Sequence, residues 1–197
     1  MAEITTTPAT GAQWDDVQSA LTGGGDGRSC QCAWPLLTNA QWEATSTPER
    51  ERMLHDEIDA GPAPGLVAYL DGEAAGWVRV GPRPPQRRLA HSRIVKTGSE
   101  EPLDDVSVWA ITCFSIRGEH RGKGVMRALL DAAVEFARDS GARVLEAYPI
   151  DTDAQEQTRS NDLYVGKLST FTSAGFEVVA RPTPTRAVVA LAFGPAA

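Results

Sequence analysis

The sequence predicts an α/β fold of the α+β type, built on a mixed β-sheet. Three observations carry this. An apolar, β-branched stretch at 106–116 runs into Arg121-Gly122-Lys123-Gly124, and a long helical pattern follows at 125–139. A second apolar stretch at 142–147 comes after that helix, and a strand–helix–strand order makes the two strands parallel. Two further pairs of short apolar runs read as antiparallel hairpins. One pairs 66–70 with 75–80 around Asp71-Gly72, and the other pairs 176–180 with 187–192.

Taken in order, residues 1–12 are rich in Thr, Pro and Ala and are expected to be extended. Trp14, Val17, Ala20 and Leu21 recur at helical spacing, and Gly23-Gly24-Gly25-Asp26-Gly27 stops that helix. The glycine run has no strand before it and no clear helix after it, so it reads as a flexible loop. Ser46-Thr47-Pro48-Glu49 starts another helix. Either Ser46 caps and Glu49 returns the bond, or Thr47 caps with Pro48 at the first helical position. Met53, Leu54, Glu57 and Ile58 continue it, and Gly61-Pro62 ends it. Residues 83–105 carry Arg83, Arg87, Arg88, Arg93 and Lys96. They read as a long solvated loop or as a lid for an acidic group.

The 125–139 helix is apolar nearly all round. Val125, Ala128, Leu129, Ala132, Ala133 and Phe136 make one face, widened by Met126, Leu130, Val134 and Ala137. Arg127, Asp131, Glu135 and Arg138 form one polar strip, and Gly141 stops the helix. Residues 162–174 read as a further helix.

A net charge of -7 argues against a non-specific nucleic-acid binder. No apolar run approaches the roughly 20 residues that span a bilayer, and the first residues do not read as a signal peptide. A cytoplasmic protein is expected. Three cysteines form no even disulfide framework. Cys30-Gln31-Cys32 offers two ligands where structural zinc wants about four. Cys113, His55, His91 and His120 show no ligand spacing, so no metal is expected.

The chemistry centres on Arg121-Gly122-Lys123-Gly124-Val125-Met126. The first N–H groups of a helix lack internal partners and carry partial positive charge, so strand, glycine turn and helix start together make an anion site. This is not a Walker loop, because Lys123 precedes the second glycine and no hydroxyl residue follows. Nor is it Gly-x-Gly-x-x-Gly, because position 127 is Arg.

The run from Phe114 through Gly124 to Leu130 resembles the Arg/Gln-x-x-Gly-x-Gly/Ala loop of the GNAT acyltransferase superfamily. One departure is Met126, where the superfamily usually has Gly or Ala. The resemblance implies a single domain over 1–197, with a centrally splayed sheet of about six to seven strands and helices on both faces. It makes 1–12 an arm, 13–60 the substrate-side helices and 106–150 the acetyl-coenzyme A core. It implies acetyl-coenzyme A as co-substrate, its pyrophosphate on Arg121, Gly122, Lys123, Gly124, Val125 and Met126. The backbone of Phe114, Ser115 and Ile116 would pair with the pantetheine arm, one N–H facing the thioester carbonyl.

Phe171 stands where the superfamily often has a tyrosine acid, on the cofactor side. Val108 falls near the place of a frequent glutamate base. Glu146, late on a parallel strand, becomes the candidate base. Tyr164, seven residues before Phe171 and expected on the same helical face, becomes the candidate acid. Cys30, Cys32, Trp34 and Trp42 fall where acceptor-side helices belong. Cys32, Trp34 and Trp77 are expected to touch the acceptor, a primary amine of a small molecule. A covalent acetyl-Cys113 is disfavoured, because no histidine is placed by sequence to activate the thiol.

The alternatives are a protein N-acetyltransferase, a silent acyl-coenzyme A-binding regulatory module, or a phosphate-binding protein of another fold. A homodimer is allowed for, with nothing in the sequence to fix it.

Overall fold

A computed structural model describes residues 2–23, 25–154 and 160–194. Gly24 of the glycine run, and Met1 of the expected arm, lie outside the described residues. The chain opens on strand β1 (Ile4–Pro8) and passes through a 3-10 turn at Gly11–Gln13. Helices α1 (Trp14–Thr22), α2 (Gly27–Cys30), α3 (Asn39–Ala44) and α4 (Thr47–Ala60) follow. The hairpin β2 (Gly65–Leu70) and β3 (Glu73–Pro82) leads to two short helices, α5 (Arg87–His91) and α6 (Arg93–Gly98). The central unit is β4 (Val108–Ile116), a 3-10 turn at Gly118–His120, α7 (Val125–Asp139) and β5 (Val144–Ala147). A 3-10 segment at Ser160–Val165, helix α8 (Leu168–Thr172) and the hairpin β6 (Glu177–Thr183) and β7 (Arg186–Ala192) complete it.

The seven strands lie in the order β1-β2-β3-β4-β5-β7-β6. Only β4 and β5 are parallel, as the α7 crossover requires. That pairing covers Val108–Ile111 against Val144–Ala147 and then stops. The second half of β4 therefore keeps its β3 neighbour but has no strand on the β5 side, which is the expected central splay. β4 also bulges there. Arg79 pairs Cys113 and Val80 pairs Ile111, so Thr112 is an extra residue. Gln86 holds the bulge. Its carbonyl accepts from the Thr112 hydroxyl at 2.7 Å, and its amide reaches the carbonyls of Gly81 and Pro82 at 3.3 Å.

Helix α7 covers one face of the sheet. Val125, Leu129, Leu130, Ala133 and Ala137 are buried against β2, β3 and β4. Full burial of a Val or Leu side chain contributes about 1.5–3 kcal/mol, so this stripe seats the helix firmly. Gly76 allows the close approach at its start: a Cβ there would lie 2.7 Å from Ile116 Cδ1 and 3.0 Å from Val125 Cγ1. On the opposite face α1 and α4 bury Val17, Leu21, Leu54 and Ile58 against Val67 and Trp77. Further along that face Leu89 and Val95 pack on Ala110, Tyr148 and Val188.

The expected extended start of the chain is strand β1, paired antiparallel with β2. Two expectations about elements change. Residues 83–105 hold α5 and α6 rather than an open loop, and Arg83 is buried. The 162–174 helix is two pieces, because Gly166 turns the chain at φ +80 between the 3-10 segment and α8. Tyr164 and Phe171 therefore do not share one helical face. At the start of α4, by contrast, Glu49 accepts from both the Ser46 N–H (2.7 Å) and the Ser46 hydroxyl (2.6 Å).

Candidate functional site

α3 and α4 begin with capping boxes on Thr38 and Ser46; α7 begins with no side-chain cap at all. Its N-cap is Gly124 at φ +88, and Gly122 sits at φ +75. Both angles suit glycine and bring backbone rather than side chain to the surface. The Ala128 N–H donates to the Gly124 carbonyl at 3.1 Å, closing the first turn. The N–H groups of the first turn, before Ala128, thus have no acceptor from the helix itself.

A cavity of about 870 Å³ starts at this helix end. It is lined by Arg121, Gly122, Gly124, Val125 and Met126, then by Cys113, Phe114, Ser115 and Ile116 along the splayed half of β4. It ends among Cys30, Cys32, Trp34, Trp42 and Tyr164. The phosphate-loop segment, the free strand edge and the acceptor-side segment thus share one space. Lys123 is exposed and does not line it. Met126 does both things asked of it, lining the cavity and packing on the α7 core.

The end of the cavity expected to take the acceptor, at Cys30 and Cys32, is shaped by a tight turn. Gln31 and Cys32 are consecutive left-handed residues, φ 47 and 53. Such angles cost about 1–2 kcal/mol per residue. The buried Gln31 amide offsets this by exchanging two hydrogen bonds with Gln18, at 2.9 and 3.0 Å. The turn drives Cys32 inward, where the Trp77 indole N–H donates to its sulfur at 3.0 Å. A hydrogen bond from the Cys113 thiol, together with the Arg79 guanidinium, pulls the Cys32 pKa below its ordinary value despite burial. The same contact and burial push Cys113 well up. Burial, with the neighbouring Cys32, pushes Cys30 up to about 11. Among the described residues, no three His, Cys, Asp or Glu side chains gather as a metal would require.

Three expected site residues are corrected. Trp77 is fully buried in the α1–α4 core and does not line the cavity; its role is to support Cys32. Phe171 is fully buried between Phe114 and Phe176, with ring centroids at 6.1 and 5.3 Å, and it too is core. Glu146 lies in the paired part of β5, opposite Ala110, before the splay opens. Its neighbours Leu145 and Ala147 face α7, so it points to the α5–α6 side. There it is 1% exposed and accepts from Arg83 (2.7 Å), Ser99 (2.6 Å) and Tyr148 (2.8 Å). It is a buried ion-pair centre, not a base facing the cavity.

Tyr164, the expected acid, lines the cavity half-exposed, and burial raises its pKa. His120, Asp26, Asp162, Leu163 and Lys167 also line the cavity, and sequence reasoning gave them no role. His120 had a signal: it adjoins the loop at Arg121. The others lie on turns whose course depends on tertiary contacts.

The profile of the Acetyltransferase (GNAT) family matches residues 34–168. The chain is 31% identical over 113 residues to an aminoglycoside N(6')-acetyltransferase type 1 of Stenotrophomonas maltophilia, a stretch that is 57% of this chain and 65% of that protein. Among solved structures it is similar to yncA of Salmonella typhimurium, described with its cofactor acetyl-CoA, at TM-score 0.56 and 18% identity over 98% of this chain and 96% of that one. It is similar also to the PaiA N-acetyltransferase of Thermoplasma acidophilum in complex with coenzyme A (0.54, 12%, 97% and 99%). A polyamine N-acetyltransferase of Drosophila melanogaster compares at 0.55 and 12%, over 97% and 100%. At these identities the structures speak to fold. The family match spans well over half of the chain, and the protein belongs to the GNAT acetyltransferase family.

Proposed function

We propose that the protein transfers the acetyl group of acetyl-coenzyme A to a primary amine of a small molecule, by direct attack. The observation that carries this is the single cavity joining the uncapped start of α7 to the free edge of β4 and on to Cys32, Trp34 and Tyr164. The diphosphate takes the first-turn N–H groups of α7, with Arg121 beside them. The pantetheine arm runs along Phe114, Ser115 and Ile116, whose backbone on the β5 side is unclaimed by a strand. An N–H there polarises the thioester carbonyl as the amine adds. The amine must lose a proton, and the departing thiolate takes one back. Tyr164 is the proton donor assigned to the thiolate. Holding both reactants in one cavity supplies much of the rate, so modest acid–base help suffices. The relative named for aminoglycoside N(6')-acetylation supports a small amine over a protein acceptor.

A silent acyl-coenzyme A-binding module is the second reading. What favours it is the commitment of Glu146 to Arg83, with Phe171 and Val108 in place of the superfamily's frequent acid and base. Thiol release from acetyl-coenzyme A across an amine panel, beside a thermal-shift measurement with coenzyme A, separates the two. Release on at least one amine is expected. Stabilisation by coenzyme A with no release on any acceptor would establish the silent module instead. Tyr164→Phe is expected to lower kcat by about 100-fold, the low end of the usual range for one proton-transfer group, with coenzyme A affinity unchanged. Wild-type kcat in that variant removes Tyr164 from the chemistry.

A further inference from the structure

The acceptor end of the cavity carries two features that the transfer reaction does not itself explain. The first is a pair of tryptophans with their faces already taken. Trp34 and Trp42 meet edge to face, centroids 4.9 Å apart at 88°. The Arg88 guanidinium lies 3.4 Å over the Trp34 ring, and that of Arg50 lies 3.5 Å over Trp42. Both cations are pinned. Arg88 donates to the Trp34 carbonyl at 2.7 Å and to Asn39 at 2.6 Å; Arg50 donates to the carbonyls of Ser29, Trp42 and Thr45 at 2.6–2.9 Å. An indole face attracts one cation through its quadrupole. A second cation on the other side meets a ring already polarised and a like charge behind it. The remaining indole surface therefore suits a flat neutral ring, which gains from stacking or edge contact without that penalty.

The second feature is a recess of about 150 Å³ that shares Trp34, Pro35 and Tyr164 with the main cavity. Arg88 and Arg186 both line it, with Ser92, Thr112 and Tyr148, and no carboxylate does among the described residues. Neither arginine forms an ion pair among those residues. One guanidinium nitrogen of each, Arg88 Nη2 and Arg186 Nε, is buried with no hydrogen-bond partner. Burial holds both groups below the ordinary arginine range. Asp162 is near enough to favour the charged Arg186, though not within ion-pair distance. Both arginines are half-buried, and Arg186 Nη2 donates to the Tyr148 carbonyl at 2.7 Å. Two cations on one lining that offers no carboxylate among the described residues favour an anionic group on a ligand, which would pair with both.

We infer that the acceptor is an aromatic amino acid, its ring against Trp34 and Trp42, its carboxylate in the recess of Arg88 and Arg186, and its amine toward the splayed edge of β4. This rests on the transferase reading above and narrows it. A decarboxylated or polycationic acceptor would bring no anion to that recess and would leave Arg88 and Arg186 unanswered there.

The test uses the full chain and four acceptor types at equal concentration: L-tryptophan or L-phenylalanine, their decarboxylated amines, spermidine and kanamycin. Thiol release gives kcat/KM, and thermal shift in the presence of coenzyme A gives binding without chemistry. The amino acids are expected to exceed their decarboxylated partners by about 10- to 100-fold in kcat/KM, the worth of one hydrogen-bonded charge. Arg186→Gln should raise KM for the amino acid by a similar factor while leaving kcat and the KM of the decarboxylated amine near wild type. Trp42→Ala should raise KM for both. Equal use of amino acid and decarboxylated amine, or a polycation as best acceptor, overturns the inference while sparing the transferase reading. Amino-acid binding with no turnover on any amine keeps the amino-acid site but sinks the transferase reading, and with it the acceptor role; no binding of the amino acid to the coenzyme A complex overturns the inference.

Discussion

Gly124→Glu is expected to lower coenzyme A affinity by about 1000-fold. A carboxylate placed some 4 Å from a phosphate, at the effective dielectric of a partly open site, repels it by about 4 kcal/mol, which is roughly three decades in Kd. Two effects of the substitution must be told apart. Gly124 has φ +88, so any side chain there is strained by about 1–2 kcal/mol. Space is not the obstacle, since a Cβ would have only Ile4 Cδ1 at 3.6 Å. Gly124→Asn isolates the strain, because Asn tolerates left-handed angles and adds no charge. Asn should bind coenzyme A within about tenfold of wild type, while Glu should fail to bind yet keep a native circular dichroism spectrum. Isothermal titration of both variants checks this, and unchanged affinity in Gly124→Glu would remove the start of α7 from the phosphate site.

Glu146→Leu is expected to destabilise the fold by about 3–5 kcal/mol, the usual cost of leaving a buried charge without its partner. The magnitude follows from what Glu146 holds. Arg83 is 2% exposed and donates to Glu146 and Ser99, and to the carbonyls of Glu101 and Pro102. This one carboxylate thus ties β5 to the end of β3 and to the turn after α6. For a chain of this size each kcal/mol moves Tm by about 2–4 °C, so a fall of roughly 6–20 °C is expected. The double variant Arg83→Met/Glu146→Leu should recover most of it, because an apolar pair of similar volume often replaces a buried ion pair without loss. Turnover per folded molecule should stay near wild type in the double variant. A large loss of kcat with unchanged Tm would return Glu146 to the chemistry.

The contrast between these two residues shows what a single sequence makes legible. The α7 start could be read because strand, glycines and helix are contiguous, and the polar strip of Arg127, Asp131, Glu135 and Arg138 fixes the helix face. Glu146 was misread because its role depends on where β4–β5 pairing stops, which is a property of two strands. Trp77 was misread for a related reason. β3 is buried on both faces from Ala74 to Val80, so alternation does not reveal which side a residue takes. Helices α5 and α6 are five and six residues long, too short to show a period, and they stand by burying Leu89 and Val95. Tyr164 lines the cavity although Gly166 interrupts the helix expected to carry it there, so helical spacing is not what places it.

The extra residue in β4 has one more consequence. Trp109 and Ile111 face α7, and an uninterrupted strand would send Cys113 the same way and Phe114 to the other side. Thr112 resets the odd–even count, so Phe114 joins the α7 core while Cys113 faces Cys32 and the α1–α4 core. Which side chain each half of the sheet receives is thus decided by a one-residue insertion in the frame of a strand. Lengthening or shortening this segment by a single position would exchange the faces of a thiol and a phenyl ring with no change in the residues themselves.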